Sequence, residues 1–139
     1  MRWPFLPLLT LAFLVLSCKD PNAYAPDDPE LTDPPAAPQL LVPEYDWMGT
    51  TVYPQSVSFS WQRVAGAQKY HFQVFSDSVL SEANLYLEQT NVSDPGLTVE
   101  FFSFDQYFWR VRGVSSNWRG GYTNWSAVWR FRLPNPGGR

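Results

Sequence analysis

The chain has 139 residues, of which 17% are charged and 17% aromatic, and its formal net charge is −3. One Cys and one His leave no partner for an internal disulfide and no His/Cys set to share a metal ion. The acids Asp20, Asp27, Asp28, Glu30 and Asp33 fall in one N-terminal stretch, so the remainder is close to neutral and gives no reason to expect nucleic acid.

Residues 1–17 read MRWPFLPLLTLAFLVLS. Arg2 gives a positive start, residues 5–16 are almost wholly apolar, and the small Ser17 precedes Cys18. That order is a secretory signal. The apolar run is shorter than the ~20 residues that span a bilayer comfortably. Val15-Leu16-Ser17-Cys18 resembles the lipobox of bacterial lipoproteins, with Leu16 larger than the family's usual residue. The resemblance implies that Cys18 is lipidated and begins the mature chain, which also accounts for an unpaired thiol; an ordinary cleaved signal is the alternative. Two or three acyl chains would then anchor the protein stably, each buried methylene contributing ~0.8 kcal/mol. The implied location is the cell envelope: the outer membrane, periplasmic or surface-exposed. Lys19 and Asp20 partly resemble a surface-export signal, interrupted by Pro21.

Residues 18–37, lipidated Cys18 followed by KDPNAYAPDDPELTDPPAA, are rich in Pro and acid and poor in large apolar groups, so they predict a tether. In extended polyproline geometry such a tether reaches up to ~60 Å. From Pro38 the composition shifts to aromatics alternating with polar residues, and residues 38–134 predict one domain, followed by a disordered tail at 135–139.

Within it, QLLV (39–42), SVSFSW (56–61), KYHFQVF (69–75), NLYLEQ (84–89), LTVEF (97–101), YFWRVRG (107–113) and VWRFRL (128–133) read as strands. Val57, Phe59 and Trp61 alternate with serines; Tyr70, Phe72 and Val74, then Tyr107, Trp109 and Val111, then Trp129, Phe131 and Leu133 do the same with polar residues. About seven short strands separated by turn residues, with no helical period, predict an all-β, immunoglobulin-like antiparallel sandwich. FSWQRVAGAQKYHFQV, QYFWRVRGV and NWSAVWRFRL together resemble a fibronectin type III domain. The resemblance matches Trp61 to the family's second-strand Trp, Tyr70 to the third-strand Tyr, and Tyr107 to the Tyr whose hydroxyl closes a corner. SFDQ (103–106) departs from the usual Pro-Gly turn there, which leaves the corner geometry open.

The sequence offers no enzyme signature: His71 is alone on an outward strand position, and neither a nucleophile turn nor a phosphate loop is present. A non-catalytic protein without cofactor or metal is expected. NVS (91–93) and NWS (124–126) fit the N-glycosylation pattern, but the lipobox points to a bacterium. Two surfaces are candidates for binding. The first is Arg110 and Arg112 with Arg130 and Arg132, expected side by side on one outer face beside Phe108. Like charges directly opposite are unfavourable. Three accounts would relieve them: cation–π stacking, as in the ladder near the Trp-Ser-x-Trp-Ser motif of cytokine-receptor domains that WSAVW (125–129) loosely resembles; pairing with Glu88 or the tether's acids; or an anionic partner. The second is the loop GVSSNWRGGYTN (113–124) at the tether end of the domain, which carries Trp118, Arg119 and Tyr122; Trp118 either stands exposed, with Tyr122 as a platform, or folds onto its own domain edge. The expected partners are the membrane through the lipid anchor and another protein, with polysaccharide or an envelope enzyme as alternatives. An exposed aromatic platform favours sugar, and an apolar patch of Phe108, Phe75 and Val128 favours protein.

Overall fold

The computed structural model describes residues 30–137. The expected signal segment, Cys18, the tether as far as Pro29 and residues 138–139 lie outside the described residues.

Among the described residues eight strands follow in order: β1 Leu40–Val42, β2 Trp47–Met48, β3 Gln55–Trp61, β4 Lys69–Phe75, β5 Leu85–Val92, β6 Gly96–Phe101, β7 Asp105–Val114 and β8 Trp129–Leu133, with a 3-10 turn at Glu82–Asn84 before β5. They form two sheets, ordered β1-β3-β6 and β2-β8-β7-β4-β5. All neighbours are antiparallel except β2, which lies parallel to β8 through Trp47↔Phe131 and Met48↔Arg132. The expected sandwich is therefore present, with one correction. The chain after β1 crosses to the second sheet and adds a two-residue parallel strand there. Two residues carry no readable period.

Alternation does what it should. Along β3, Val57, Phe59 and Trp61 are buried and Ser56 and Ser58 exposed; along β7, Tyr107, Trp109 and Val111 are buried between less buried neighbours. Phe59 is the centre of the core. Its ring meets Phe72 at 4.9 Å, Trp109 at 5.0 Å and Phe131 at 5.5 Å, one from each of three strands in the opposite sheet. Each such side chain contributes ~1.5–3 kcal/mol on full burial, which is how a chain with one Cys holds two sheets together.

Two tyrosines tie the ends of strands. The Tyr107 hydroxyl donates to the Ser103 carbonyl at 3.1 Å, so the corner closes despite the SFDQ departure. Burial pushes the Tyr107 phenol up to about 12. The Tyr70 hydroxyl accepts from the buried Val64 amide at 2.9 Å.

The register defines two poles. Gln55↔Phe101, Phe75↔Phe108 and Asp105↔Leu133 mark one end, where loops 49–54, 76–84 and 102–104 gather. Ser60↔Gly96 and Lys69↔Val114 mark the other, which carries the entry of the chain and the segment 115–128.

Candidate functional site

The outer face of the five-stranded sheet carries His71 and Gln73 from β4 and Phe108, Arg110 and Arg112 from β7, all at outward positions. β8 does not begin until Trp129, so the upper half of β7 needs another neighbour. Segment 122–126 supplies it. The Gly113 amide donates to Thr123 Oγ1 and the Val111 amide to Ser126 Oγ, while the amides of Thr123 and Ser126 donate to the Gly113 and Val111 carbonyls. Thr123 and Ser126 are buried by this pairing, and Tyr122 and Trp125 turn out over the arginines. The repeat is three residues, the spacing of an extended polyproline-like chain rather than of a strand.

The result is an alternating stack. The Arg112 guanidinium lies 3.8 Å from the Tyr122 ring centroid and 4.3 Å from that of Trp125. Arg110 lies 4.1 Å from Trp125 on its other contact and 5.3 Å from Phe75. Each arginine is also held from β4: Arg110 Nε donates to Gln73 Oε1 at 3.0 Å, and Arg112 Nε donates to His71 Nδ1 at 3.1 Å. Because His71 Nδ1 accepts, its ring proton sits on Nε2, which points at Glu88 Oε2 2.8 Å away. Gln73 Nε2 donates to the same oxygen at 2.6 Å. These two hydrogen bonds, Gln73 first and His71 second, hold the Glu88 carboxyl below the usual carboxylate range against the opposing effect of burial. Burial, and then the charge of Arg112, lowers Arg110.

Arg130 and Arg132 belong to a different cluster. Arg130 Nε lies 3.0 Å from Asp46 Oδ1, and Arg132 Nη2 lies 3.0 Å from the same oxygen and 3.1 Å from Oδ2. Asp46 takes a left-handed backbone, φ 65°, which short polar residues tolerate best. Its amide donates to the Arg130 carbonyl at 2.8 Å. The Tyr45 ring centroid is 5.3 Å from the Arg130 guanidinium.

The four arginines share the outer face of one sheet beside Phe108, but they fall into two clusters instead of one. The register sets Arg130 opposite Phe108 and Arg132 opposite Gln106, while Arg110 and Arg112 face Gln73 and His71 on β4. No arginine stands directly across from another. Two are stacked between aromatics and two share a carboxylate, and the carboxylate is Asp46, not Glu88 or a tether acid. Phe75 is 2% exposed beneath this stack, so it does not form an open patch with Phe108 and Val128. Asp46, Gln73 and Trp125 were not among the sequence candidates for this face; WSAVW carried the one signal, through Trp125.

The loop takes the second of its two readings. Trp118 is 6% exposed and packs with the core, its indole 3.3 Å from where a Gly113 side chain would begin. Tyr122, 45% exposed, is held over Arg112. The two rings therefore do not make an exposed platform. What the loop does meet is the end of the tether. Thr32 pairs in parallel with Trp118: its amide donates to the Asn117 carbonyl at 3.0 Å, and the Arg119 amide donates to the Thr32 carbonyl at 2.8 Å. Arg119 Nη1 sits 2.8 Å from Asp33 Oδ1. Thr32 and Asp33 thus already contact the domain, ahead of the expected start at Pro38. Among the described residues, no group of three or more His, Cys, Asp or Glu is placed to hold a metal ion, and no helix is long and apolar enough to cross a membrane.

No protein-family profile matches the chain, and no curated protein sequence does. Solved structures do. The chain is similar to an Fn3-like protein from Clostridium thermocellum, at 19% identity and a TM-score of 0.50 over 75% of this chain and 97% of that one. It is similar to the fn3 domain of the human collagen alpha-1(XX) chain, at 21% identity and a TM-score of 0.54 over 78% and 92%. The FN5 domain of Drosophila Lar matches at 16% identity and a TM-score of 0.50 over 73% and 98%. At these identities the likeness concerns the fold, and the two-sheet sandwich described here has the fold of a fibronectin type III domain.

Proposed function

We propose that this is a lipid-anchored, non-catalytic cell-envelope protein that displays one fibronectin type III fold for contact with another protein. The observation that carries the reading is an order of parts. A lipobox-like sequence ending in Cys18 leads into an acidic, Pro-rich stretch, and the end of that stretch is seated on the sandwich through Thr32 and Asp33.

The polysaccharide alternative needs an open aromatic platform, and the burial of Trp118 removes half of it. An anionic ligand on the arginine face would compete with Asp46 for Arg130 and Arg132 and would find Arg110 and Arg112 stacked between rings. Protein contact is the reading that asks neither cluster to open.

The test of the anchor is metabolic labelling with an alkyne fatty acid, followed by fractionation, of the wild-type chain and of Cys18→Ala. Label and membrane retention in the wild type, both lost in the variant, are the expected result. A variant that stays in the membrane fraction would overturn the lipoprotein reading.

A further inference from the structure

We propose that the pole of the sandwich opposite the tether is a docking surface for a protein whose own contact face is apolar and rimmed with basic side chains. The inference rests on the anchored reading for its orientation, and on side-chain exposure and charge for its chemistry.

The register brings loops 49–54, 76–84 and 102–104 to this pole. They carry Val52 at 71% exposure, Val79 at 63%, Phe102 at 69% and Phe104 at 52%. The tyrosine corner explains the two phenylalanines. Ser103 is fixed by the Tyr107 hydroxyl through its carbonyl and its Oγ, each at 3.1 Å, and Phe101 fills the core at 0% exposure. The residues on either side of Ser103 are left facing outward. Each exposed phenylalanine leaves apolar surface in water that a partner surface would cover.

The charge of the loops themselves has one sign. The three loops and the first residue of β7 hold Asp77, Glu82 and Asp105 and no Lys or Arg. None of the three forms an ion pair among the described residues. Arg130 lines the same shallow depression as Asp77 and Asp105 but is held by Asp46. This pattern selects the occupant. The tether carries Asp20, Asp27 and Asp28, so it is repelled. A second copy meeting pole to pole would set acid against acid. An anionic bilayer is disfavoured by the same charge, and the tether docks at the other pole, beside Trp118 and Arg119. A protein with an apolar centre and a basic rim meets none of these objections, and its hot spot would fall on the two phenylalanines.

The experiment places a photo-crosslinking amino acid at Phe104, and separately at Ser116 on the tether side, in the full-length chain in its native envelope. The Phe104 probe should yield an adduct with one other protein, identified by mass spectrometry, that the Ser116 probe does not. That protein, purified, should bind the full chain in detergent about tenfold more weakly when Phe102→Ser and Phe104→Ser are combined. Binding should also weaken with rising salt and with Asp77→Asn, Glu82→Gln and Asp105→Asn together. Since all five side chains are exposed, circular dichroism should show both variants folded. Adducts at Phe104 with lipid alone, with this chain alone, or none at all would overturn the proposal. So would binding indifferent to both sets of substitutions. Fractionation of Cys18→Ala in the same cells separates the two failures: released protein with no Phe104 adduct sinks the docking surface and leaves the anchor standing, while an adduct with unreleased protein does the reverse.

Discussion

Trp125 holds Arg110 against its ring at 4.1 Å, although fifteen residues separate them and they lie on no common strand. The contact exists because Ser126 and Thr123 pair with β7 and turn Trp125 over it. The same ring touches Arg112 at 4.3 Å and His71 at 4.9 Å. Cation–π contacts contribute ~0.5–1 kcal/mol each at exposed sites. Trp125→Ala should therefore lower stability by about 1–2 kcal/mol in urea unfolding, and Trp125→Phe by less, since a weaker ring remains. Equal stability for all three proteins would mean that the stack contributes nothing.

The two tyrosine ties differ in what they leave behind. Tyr70→Phe strands the buried Val64 amide without its acceptor, which costs about 1–3 kcal/mol. Tyr107→Phe removes a donor from Ser103, an exposed residue whose carbonyl can turn to water, and should cost about 0.5–1.5 kcal/mol. The ordering, Tyr70 above Tyr107, is what paired denaturation curves would test. Tyr107→Phe has a second signature. The folded phenol is raised to about 12, above the unfolded value of ~10. The unfolded chain releases this proton first, so stability is full below the unfolded value and is lost as pH rises through the folded one. In Tyr107→Phe that alkaline loss should be smaller.

How much of this was legible depended on period. Strands β3, β4, β7 and β8 alternate over most of their length, with Phe75 buried next to Val74 as the exception in β4, and the sequence reading placed each within two residues of its observed bounds. β2 has two residues, too few for any pattern. Tyr122 and Trp125 follow a period of three along a chain that is not a strand, so a search for alternation does not set either ring over the arginines, although Tyr122 stood out as a loop aromatic. Asp46 needed knowledge of where the crossover sets Trp47 beside Phe131, which no local pattern encodes. Trp118 was left open for a related reason. A Gly-rich loop reads as exposed, yet Gly113 and Gly66 leave room for an indole to fold inward, its Nε1 3.6 Å from where a Gly66 side chain would begin.

Glu88 gives a prediction in acid. Its folded carboxyl lies below the ordinary value because Gln73 and then His71 hydrogen-bond to it, with Arg112 nearby adding attraction. The unfolded chain therefore binds the proton more readily. This contribution to stability is present above the ordinary carboxylate value and is lost as pH falls through the lowered folded value. Glu88 is partly exposed, so the effect is modest. Melting temperatures of wild type and Glu88→Gln should differ at neutral pH and converge as the pH falls through the lowered folded value. Curves that run parallel throughout would remove the carboxylate from the account.

The junction between tether and domain separates local from global stability. The Asp33–Arg119 pair is exposed on both sides, 80% and 47%, and such pairs contribute ~0–1 kcal/mol. Asp33→Asn should leave the unfolding midpoint nearly unchanged. It should nevertheless speed hydrogen exchange at the Thr32 and Arg119 amides, whose acceptors are the carbonyls of Asn117 and Thr32 across the junction. Trp118→Ala acts on the other side of the same contact and removes a ring that is 6% exposed. It should cost about 3–5 kcal/mol, as loss of a buried Trp does. It should also release the tether, because the pairing with Thr32 depends on the loop that Trp118 pins. If Asp33→Asn lowered the midpoint as much as Trp118→Ala, the tether would be an integral strand of the sandwich, not a strap laid against it.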